Sequence, residues 1–251
     1  MYLRDSKFVI CCAARTGSTY LVHLLRSNPE ILCHGEVINL SGVGALLGSY
    51  AKKRTESDEF EAALQKKLVE HPERFIYDNV FDCQGRNVVG FKFKTDELFD
   101  PDYSAYKDIL EADQEIKVVH LVRRRLLDQY ISHQVVLNQT GITLLHSDSD
   151  LPNIRPFTCD IGHAIEYFED VLDRERRADG FYAKHRSIKI SYEGLLEKES
   201  FDRELIQNFL GVRAVALDSP TKKIIKDNRE LLINLDETLE LLSSAGYSDR
   251  L

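Results

Sequence analysis

The chain has 251 residues, 43% of them hydrophobic, enough for one α/β domain spanning residues 1–251 with a full core. No window approaches the roughly 18 uninterrupted apolar residues of a membrane span, so we expect no transmembrane segment. A formal net charge of −8 argues against a surface that binds nucleic acid. Five cysteines, an odd number without CxxC spacing, argue against a disulfide framework or a zinc site. The first eight residues, MYLRDSKF, lack an apolar stretch and a cleavage site, so we expect a cytoplasmic protein.

The segment Lys7–Ser27 predicts a buried strand, an anion-binding loop and a helix in direct succession. Phe8–Cys12 is a continuous apolar run with the length of a central parallel strand. Gly17, in the loop that follows, can adopt backbone angles that direct successive amide N–H groups at one point. Leucines recur at helical spacing from Thr19, so these amides lie at a helix N-terminus, where the dipole favours a phosphate or sulfate.

The loop differs from the Walker A pattern, in which a lysine and then Ser or Thr follow the last glycine. Here Ser18 follows Gly17 directly, and the cation is Arg15, two residues before the glycine. The sequence A-R-T-G-S-T resembles the 5′-phosphosulfate loop of sulfotransferases that use 3′-phosphoadenosine 5′-phosphosulfate (PAPS). This resemblance implies that PAPS is the co-substrate, without a metal, and that Arg15, Thr16, Gly17, Ser18 and Thr19 bind it. The alternative is an ordinary tight turn with a surface arginine.

Two candidate bases follow the first helix, in the segment ILCHGE. In many sulfotransferases with carbohydrate acceptors, a glutamate after the first helix is the catalytic base, and Glu36 resembles it. The alternative is a solvated loop carboxylate. His34 is the second candidate, unless it is a surface histidine without a role. The segment follows a break at Asn28-Pro29 and leads into a glycine-rich stretch that ends near Tyr50.

Val88–Lys94, VVGFKFK, predicts a second strand. Alternation places Lys92 and Lys94 on one face and two phenylalanines on the other. In related enzymes a lysine at the end of the corresponding strand contacts the sulfuryl group, so the resemblance implies this role for Lys92 or Lys94. The alternative is an edge strand that the lysines protect from unwanted pairing.

A second candidate phosphate-binding element is KVVHLVRRRLLDQYISH. Lys117–Val122 is a buried strand, and three arginines follow its C-terminal end, where open α/β sheets bind their ligands. Arg124 precedes Ser132 by eight residues, which resembles the 3′-phosphate-binding element of sulfotransferases; Arg123 is the alternative if the alignment slips by one. Arginine suits phosphate because its planar group makes paired charge-assisted hydrogen bonds. A solvated basic patch is less consistent with two motifs in the expected order.

The C-terminal half carries weaker signals. Ser187–Ser191 predicts a strand, and the following Y-E-x-L-L resembles the strand end of sulfotransferases at which Tyr192 would lie near the adenine; simple packing is the alternative. Lys222 or Lys223 resembles the cationic C-terminal residues that many members place against the nucleotide, although the Arg-Lys-Gly signature of the cytosolic animal enzymes is missing. The polar stretch Gly141–Phe157 predicts a long loop over the mouth of the active site.

Apolar periodicity also predicts four helices outside these motifs. They are Ser57–Glu70, Ile161–Arg177 behind an Asp160 cap, Arg203–Leu210 and Arg229–Leu242. Four strands, each followed by helical sequence, indicate an α/β fold with a central parallel sheet. The resemblance implies the same fold, with a sheet of four or five strands, in three layers around a P-loop-like strand, loop and helix.

The resemblance implies transfer of a sulfuryl group from PAPS to an acceptor hydroxyl, on a carbohydrate or another small polar metabolite. Glu36 would accept the proton, Arg15 would stabilise charge on the leaving phosphate, and Lys92 would contact the sulfuryl group. A P-loop kinase or NTPase is the alternative, but its lysine is absent and the third strand ends in arginines instead of a Mg²⁺-binding aspartate. A nucleotide-binding regulator that has lost catalysis is a third hypothesis. No motif indicates a specific acceptor or an oligomeric state.

Overall fold

The computed structural model describes residues 6–42, 44, 46–141, 153–197, 201–220 and 228–251, with only the backbone at 54 and 55. Five strands form one parallel sheet in the order β2-β3-β1-β4-β5. They are β1 (Ser6–Cys12), β2 (Ile31–Glu36), β3 (Val88–Lys94), β4 (Lys117–Val122) and β5 (Ser187–Ser191). The predicted α/β class with a central parallel sheet is confirmed.

Helices connect and flank these strands. The α-helices among the described residues are α1 (Ser18–Arg26), α2 (Ser49–Glu56), α3 (Asp58–Glu70), α4 (Pro72–Phe75), α5 (Thr95–Leu98), α6 (Ser104–Ala112), α7 (Leu126–Val135), α8 (Ile161–Phe181), α9 (Tyr192–Leu196), α10 (Phe201–Leu210) and α11 (Leu235–Leu242). π-Helical turns extend α4 through Ile76–Val80 and α7 through Val136–Thr140. None of these described helices combines the length and apolar character needed to cross a membrane.

β1 lies at the centre of the sheet because its side chains are apolar on both faces. Val9 and Cys11 face one side and pack against α3, α4 and α6. Phe8, Ile10 and Cys12 face the other side and pack against α1 and α10. The sheet is therefore the middle of three layers, as predicted, and a third cluster joins α7, α8 and α11.

Side-chain caps fix two helix starts; the Asp160 cap was predicted, whereas Ser57 was predicted as the first residue of its helix and is its cap. The Ser57 hydroxyl accepts a hydrogen bond from the Phe60 amide at the start of α3, and the Asp160 carboxylate accepts one from the His163 amide at the start of α8. The predicted helices are confirmed here, although α8 continues to Phe181.

β2 was not predicted as a strand. Its apolar run is only three residues long, Ile31–Cys33, and the ladder to β3 shifts register between Cys33 and Glu36, which removes the alternation that a strand normally shows. Because β2 is the edge strand, β3 is internal and Lys92 is buried. The alternative interpretation of β3 as an edge strand is therefore wrong.

The predicted helix Arg229–Leu242 is split in the structure. A 3₁₀ turn covers Arg229–Leu231, and α11 begins only at Leu235. Between them the chain pairs with Phe157, whose amide donates to Leu231 O at 2.8 Å and whose carbonyl accepts from Ile233 N at 3.0 Å. These backbone bonds replace those that a continuous helix would make.

Two predictions fall on parts of the chain that the structure does not describe. Lys222 and Lys223 lie outside the described residues. So do residues 142–152, which make up most of the predicted loop Gly141–Phe157.

Packing at the centre of the sheet leaves no room for a methyl group at Gly90, since a Cβ there would overlap the Phe8 ring. We expect Gly90→Ala to destabilise the fold by about 1–3 kcal/mol, the usual cost of overpacking. Gly180→Ala is the matched control, because Gly180 lies in α8 with open space where a Cβ would stand. Alanine at this helical position should raise the free energy of unfolding by about 0.5–1 kcal/mol. Urea unfolding of both variants measures the difference, and equal stabilities would contradict this packing.

Candidate functional site

The loop between β1 and α1 has the geometry of an anion-binding turn. Arg15 and Gly17 both have positive φ, 61° and 80°. For Arg15 this conformation costs about 1–2 kcal/mol, a strain that often accompanies function. The Thr16 hydroxyl is buried and donates to Ala13 O at 2.9 Å, so this side chain stabilises the turn.

Tyr192 covers Gly17. Its ring is buried, and any Cβ at Gly17 would overlap it. Gly17 is thus required both by its backbone angle and by the approach of the ring. This contact agrees with the packing interpretation of Tyr192, whose predicted place beside an adenine stays a prediction.

Helix α7 holds the loop from a second side. Ser132 Oγ accepts a hydrogen bond from Arg15 Nε at 3.1 Å, and Gln129 Nε2 donates to Ala14 O at 2.7 Å. The two α7 residues are three apart and share one face of the helix. Gln129 was not among the predicted site residues, because a glutamine inside a helix has no motif of its own.

The two candidate arginines at the end of β4 occupy different environments. Arg123 is buried, donates to Arg15 O at 3.1 Å and lies 5.0 Å from the centre of the Tyr192 ring. Its Nε has no hydrogen-bond partner among the described residues. The Arg124 side chain is 60% exposed, and its Nε lies 3.8 Å from Glu193. Arg123 therefore supports the Arg15 loop, while the Arg124 side chain extends toward solvent.

The Glu193 carboxylate, which was likewise not predicted as a site residue, fixes this turn. It accepts hydrogen bonds from the amides of Arg124 and Arg125 at 3.0 and 3.1 Å. These bonds satisfy N–H groups at the start of α7. Tyr192 and Glu193, adjacent in the chain, thus contact both the Gly17 loop and the β4–α7 turn.

Lys92 connects the candidate base to the loop. Its Nζ lies 2.5 Å from Glu36 Oε1 and 3.2 Å from Ser18 Oγ. Lys94 Nζ lies 3.3 Å from the other oxygen of Glu36. Burial raises the pKa of Glu36, but Lys92 and then Lys94 outweigh that effect and lower it. Glu36 is the last residue of β2 and is ion-paired, so it does not lie in a loop, although 42% of its side chain is exposed.

His34 is a core residue. Its side chain is fully buried, and its Nδ1 accepts a hydrogen bond from Leu47 N at 3.0 Å. Burial lowers the pKa of His34 to about 4, so the ring is neutral at pH 7. The alternative of a surface histidine is wrong, and among the described residues no hydrogen bond or ion pair joins His34 to the Arg15 loop.

The site concentrates positive charge in an acidic protein. Arg123 lies against Arg15 through the hydrogen bond to its carbonyl, and burial and then Arg123 lower the pKa of Arg15. Like charges in proximity favour an anion between them. No group of three His, Cys, Asp or Glu side chains in the described part of the chain is placed to hold a metal.

The structure brings five of the predicted site residues into direct contact, in two sets. Arg15 contacts Ser132, and Lys92 contacts both Ser18 and Glu36. Tyr192 packs on Gly17, Thr16 lies in the same loop, and Thr19 lies in the first turn of α1. Arg124 contacts Glu193, the residue after Tyr192.

No protein-family profile matches this chain. Nodulation protein H of Rhizobium tropici is 25% identical over 237 residues, which cover 93% of this chain and 87% of that protein. Among solved structures, the sulfotransferase domain from the curacin biosynthetic pathway superposes with a TM-score of 0.53 and 14% identity, covering 96% of this chain and 98% of that one. The chain has the sulfotransferase fold.

A second solved structure, a sulfotransferase from Alicyclobacillus acidocaldarius, is 16% identical with a TM-score of 0.48 over 96% of this chain and 95% of that one. In this sulfotransferase fold, the P-loop-like strand, loop and helix are β1, the Arg15 loop and α1. The resemblance identified from the two phosphate motifs is confirmed at the level of the fold.

The burial of His34 predicts how the protein responds to acid. Its pKa is about 6.5 when unfolded and about 4 when folded, so between these values only the unfolded chain binds the proton. The contribution to stability is present above pH 6.5 and decreases as the pH falls to 4, by about 3 kcal/mol in total. We expect His34→Gln to flatten the dependence of unfolding free energy on pH in this window. An unchanged slope in urea unfolding between pH 4.5 and 7 would contradict the neutral buried ring.

Proposed function

We propose that this protein is a PAPS-dependent sulfotransferase that transfers a sulfuryl group to an acceptor hydroxyl. The observation that carries the proposal is the Lys92 ammonium, which contacts both the Ser18 hydroxyl of the anion loop and the Glu36 carboxylate. A cation between an anion site and a base is what in-line transfer to a hydroxyl requires. The sulfotransferase fold supports the same reaction.

The chain's own residues fit the charges of PAPS. The loop presents Arg15 and the N-terminal amides of α1 to one anionic group, and Arg124 lies at the end of the neighbouring strand β4. The buried Arg123 Nε, unpaired within the described residues, adds a donor on the same side. When bound, PAPS supplies the activated sulfuryl group and the bisphosphate that leaves.

Each side chain then has a role that its position supports. Glu36 accepts the proton of the acceptor hydroxyl. Lys92, buried and bonded to Ser18, stabilises negative charge at the transferring group, a role that Lys94 fits less well because it is directed to Glu36 and Glu97. Arg15 stabilises the charge that develops on the phosphate.

Arg124 is the residue we assign to the 3′-phosphate. It is exposed and lies at the carboxyl end of β4, whereas Arg123 is occupied by Arg15 O. Ser132 already accepts from Arg15, so its hydroxyl can donate to a phosphate while it holds the loop cation. Tyr192 beside the adenine, and Lys222 or Lys223 against the nucleotide, remain predictions.

The acceptor class is a carbohydrate or another small polar metabolite, since Glu36 resembles the base of sulfotransferases that act on carbohydrates. The cytoplasm remains our prediction for the location of the protein.

Ligand-dependent melting tests the proposal first. The 3′,5′-bisphosphate product PAP at 100 times its dissociation constant should stabilise the protein by about 2.7 kcal/mol, whereas ATP with Mg²⁺ should not. Transfer of labelled sulfur from PAPS to pooled carbohydrates and polar metabolites then tests the reaction. Stabilisation by ATP with Mg²⁺ alone would favour a kinase or NTPase, and PAP binding without any transfer would favour a regulator.

Replacement of the base gives a sharper test of the reaction. We expect Glu36→Gln to lower the rate constant by roughly 10²–10⁴, the usual effect of removing a general base, with nearly unchanged affinity for PAP. Glu30→Gln is the control, because Glu30 lies just before β2, at the opposite end of the strand. Turnover retained by Glu36→Gln at saturating acceptor, or a defect confined to PAP binding, would contradict the assignment.

The two arginines should differ when PAP and AMP are compared by calorimetry. Arg124→Ala should weaken the binding of PAP by about 2–3 kcal/mol, the scale of a charge-assisted contact, and leave the binding of AMP nearly unchanged. Arg123→Ala should weaken both ligands, because Arg123 supports the carbonyl of Arg15. Arg125→Ala is the control for an exposed neighbouring arginine. Equal losses of PAP and AMP in Arg124→Ala would show that Arg124 does not read the 3′-phosphate.

A further inference from the structure

Lys94 lies between two carboxylates. Its Nζ is 3.3 Å from Glu36 Oε2 and 3.0 Å from Glu97 Oε1. Glu36 is in addition 2.5 Å from Lys92. The four side chains form a row of alternating charge, in the order Lys92, Glu36, Lys94 and Glu97. Glu97 was not among the site residues predicted from the sequence.

Glu97 is held firmly at the end of this row. It lies in α5, directly after β3, and its Oε2 accepts a hydrogen bond from the backbone amide of Lys94 at 3.1 Å. Only 12% of its side chain is exposed. A carboxylate with one oxygen on the amide and the other on the ammonium of the same lysine fixes the direction of that side chain.

We propose that Glu97 is a positioning residue that holds Lys94 between two carboxylates and thereby withholds part of its positive charge from Glu36. This rests on the proposed function, in which Glu36 is the base. A carboxylate paired with two complete cations binds a proton weakly and is a poor base. Lys94 also pairs with Glu97, so its positive charge is partly neutralised. Glu36 therefore interacts with the full charge of Lys92 but with only part of the charge of Lys94.

The electrostatics of the row agree with this sharing. Burial lowers the pKa of Lys94, but Glu97 and then Glu36 outweigh that effect and raise it. Burial also raises the pKa of Glu97, with a smaller contribution from Glu36. Other titratable groups of the described residues that face the row are Cys12 on β1, Cys33 on β2 and Tyr103 before α6.

Two substitutions should shift the pKa of Glu36 in opposite directions. Glu97→Gln keeps an acceptor for the Lys94 amide but removes the charge, so Lys94 turns fully to Glu36 and the pKa of Glu36 falls. Lys94→Met removes the cation, so the pKa of Glu36 rises. A carbon-13 titration of the Glu36 carboxyl, assigned by its loss in Glu36→Gln, measures both shifts without any substrate. A purely structural role would not produce opposite signs.

The same variants have a kinetic signature. In Glu97→Gln the acidic limb of the pH profile should move to lower pH and the plateau rate should fall by about 3- to 10-fold, far less than the 10²–10⁴ lost with the base itself. In Lys94→Met the limb should move to higher pH. Asp96→Asn is the matched control, because Asp96 is the preceding residue of α5 but pairs with Arg174 of α8. It should leave the titration and the profile unchanged.

Each outcome separates this proposal from the proposed function. Three results would overturn the role of Glu97. They are shifts of the Glu36 pKa in the same direction in Glu97→Gln and Lys94→Met, no shift of that pKa in Glu97→Gln, and an equal shift in Asp96→Asn. If the pKa of Glu36 shifts as expected while Glu36→Gln keeps full turnover, the role of Glu97 is supported and the assignment of Glu36 as base fails. If Glu36→Gln is inactive but Glu97→Gln leaves the titration unmoved, only the present proposal fails.

Discussion

The Lys92 ammonium, buried between three strands, joins the two parts of the candidate site. β3 lies between β1 and β2. A side chain near the carboxyl end of β3 can therefore contact both the loop that follows β1 and Glu36, the last residue of β2. The contacts with Ser18 Oγ and Glu36 Oε1 are the result. A buried ammonium is stable only when paired, and both partners are needed to compensate for its lost hydration. The order of the strands therefore determines which carboxylate lies beside the loop between β1 and α1.

The rest of the site keeps positive charge in place around that contact. The protein carries a formal net charge of −8, so an anion must be bound by local cations. Arg123 holds the carbonyl of Arg15, and α7 holds its guanidinium through Ser132. The positive φ of Arg15 and the Tyr192 ring over Gly17 complete a turn that is shaped before any ligand arrives. Such preorganisation is how an enzyme stabilises developing charge without reorganising at the moment of reaction.

Much of this was predictable because it depends on local pattern. The run Phe8–Cys12 and the loop after it specify a central strand and an anion turn through burial and backbone freedom alone. The pairings of Lys92 with Glu36 and of Lys94 with Glu97 were not predictable in this way. They depend on β2, whose short run and shifted register give no alternating signal, and on a turn of helix only four residues long. The split of the last helix likewise depends on a distant backbone pairing at Phe157.

If Lys92 acts at the transferring group, replacing it should slow transfer far more than replacing Lys94. Single-turnover transfer of labelled sulfur from PAPS, measured for Lys92→Met beside Lys94→Met, separates a lysine bonded to the loop from one directed at Glu97. We expect Lys92→Met to lose roughly 10²–10³ in the transfer rate, the scale of one charge-stabilising group, while Lys94→Met loses much less and both still bind PAP. Equal rates in the two variants, or full transfer by Lys92→Met, would contradict this role of Lys92.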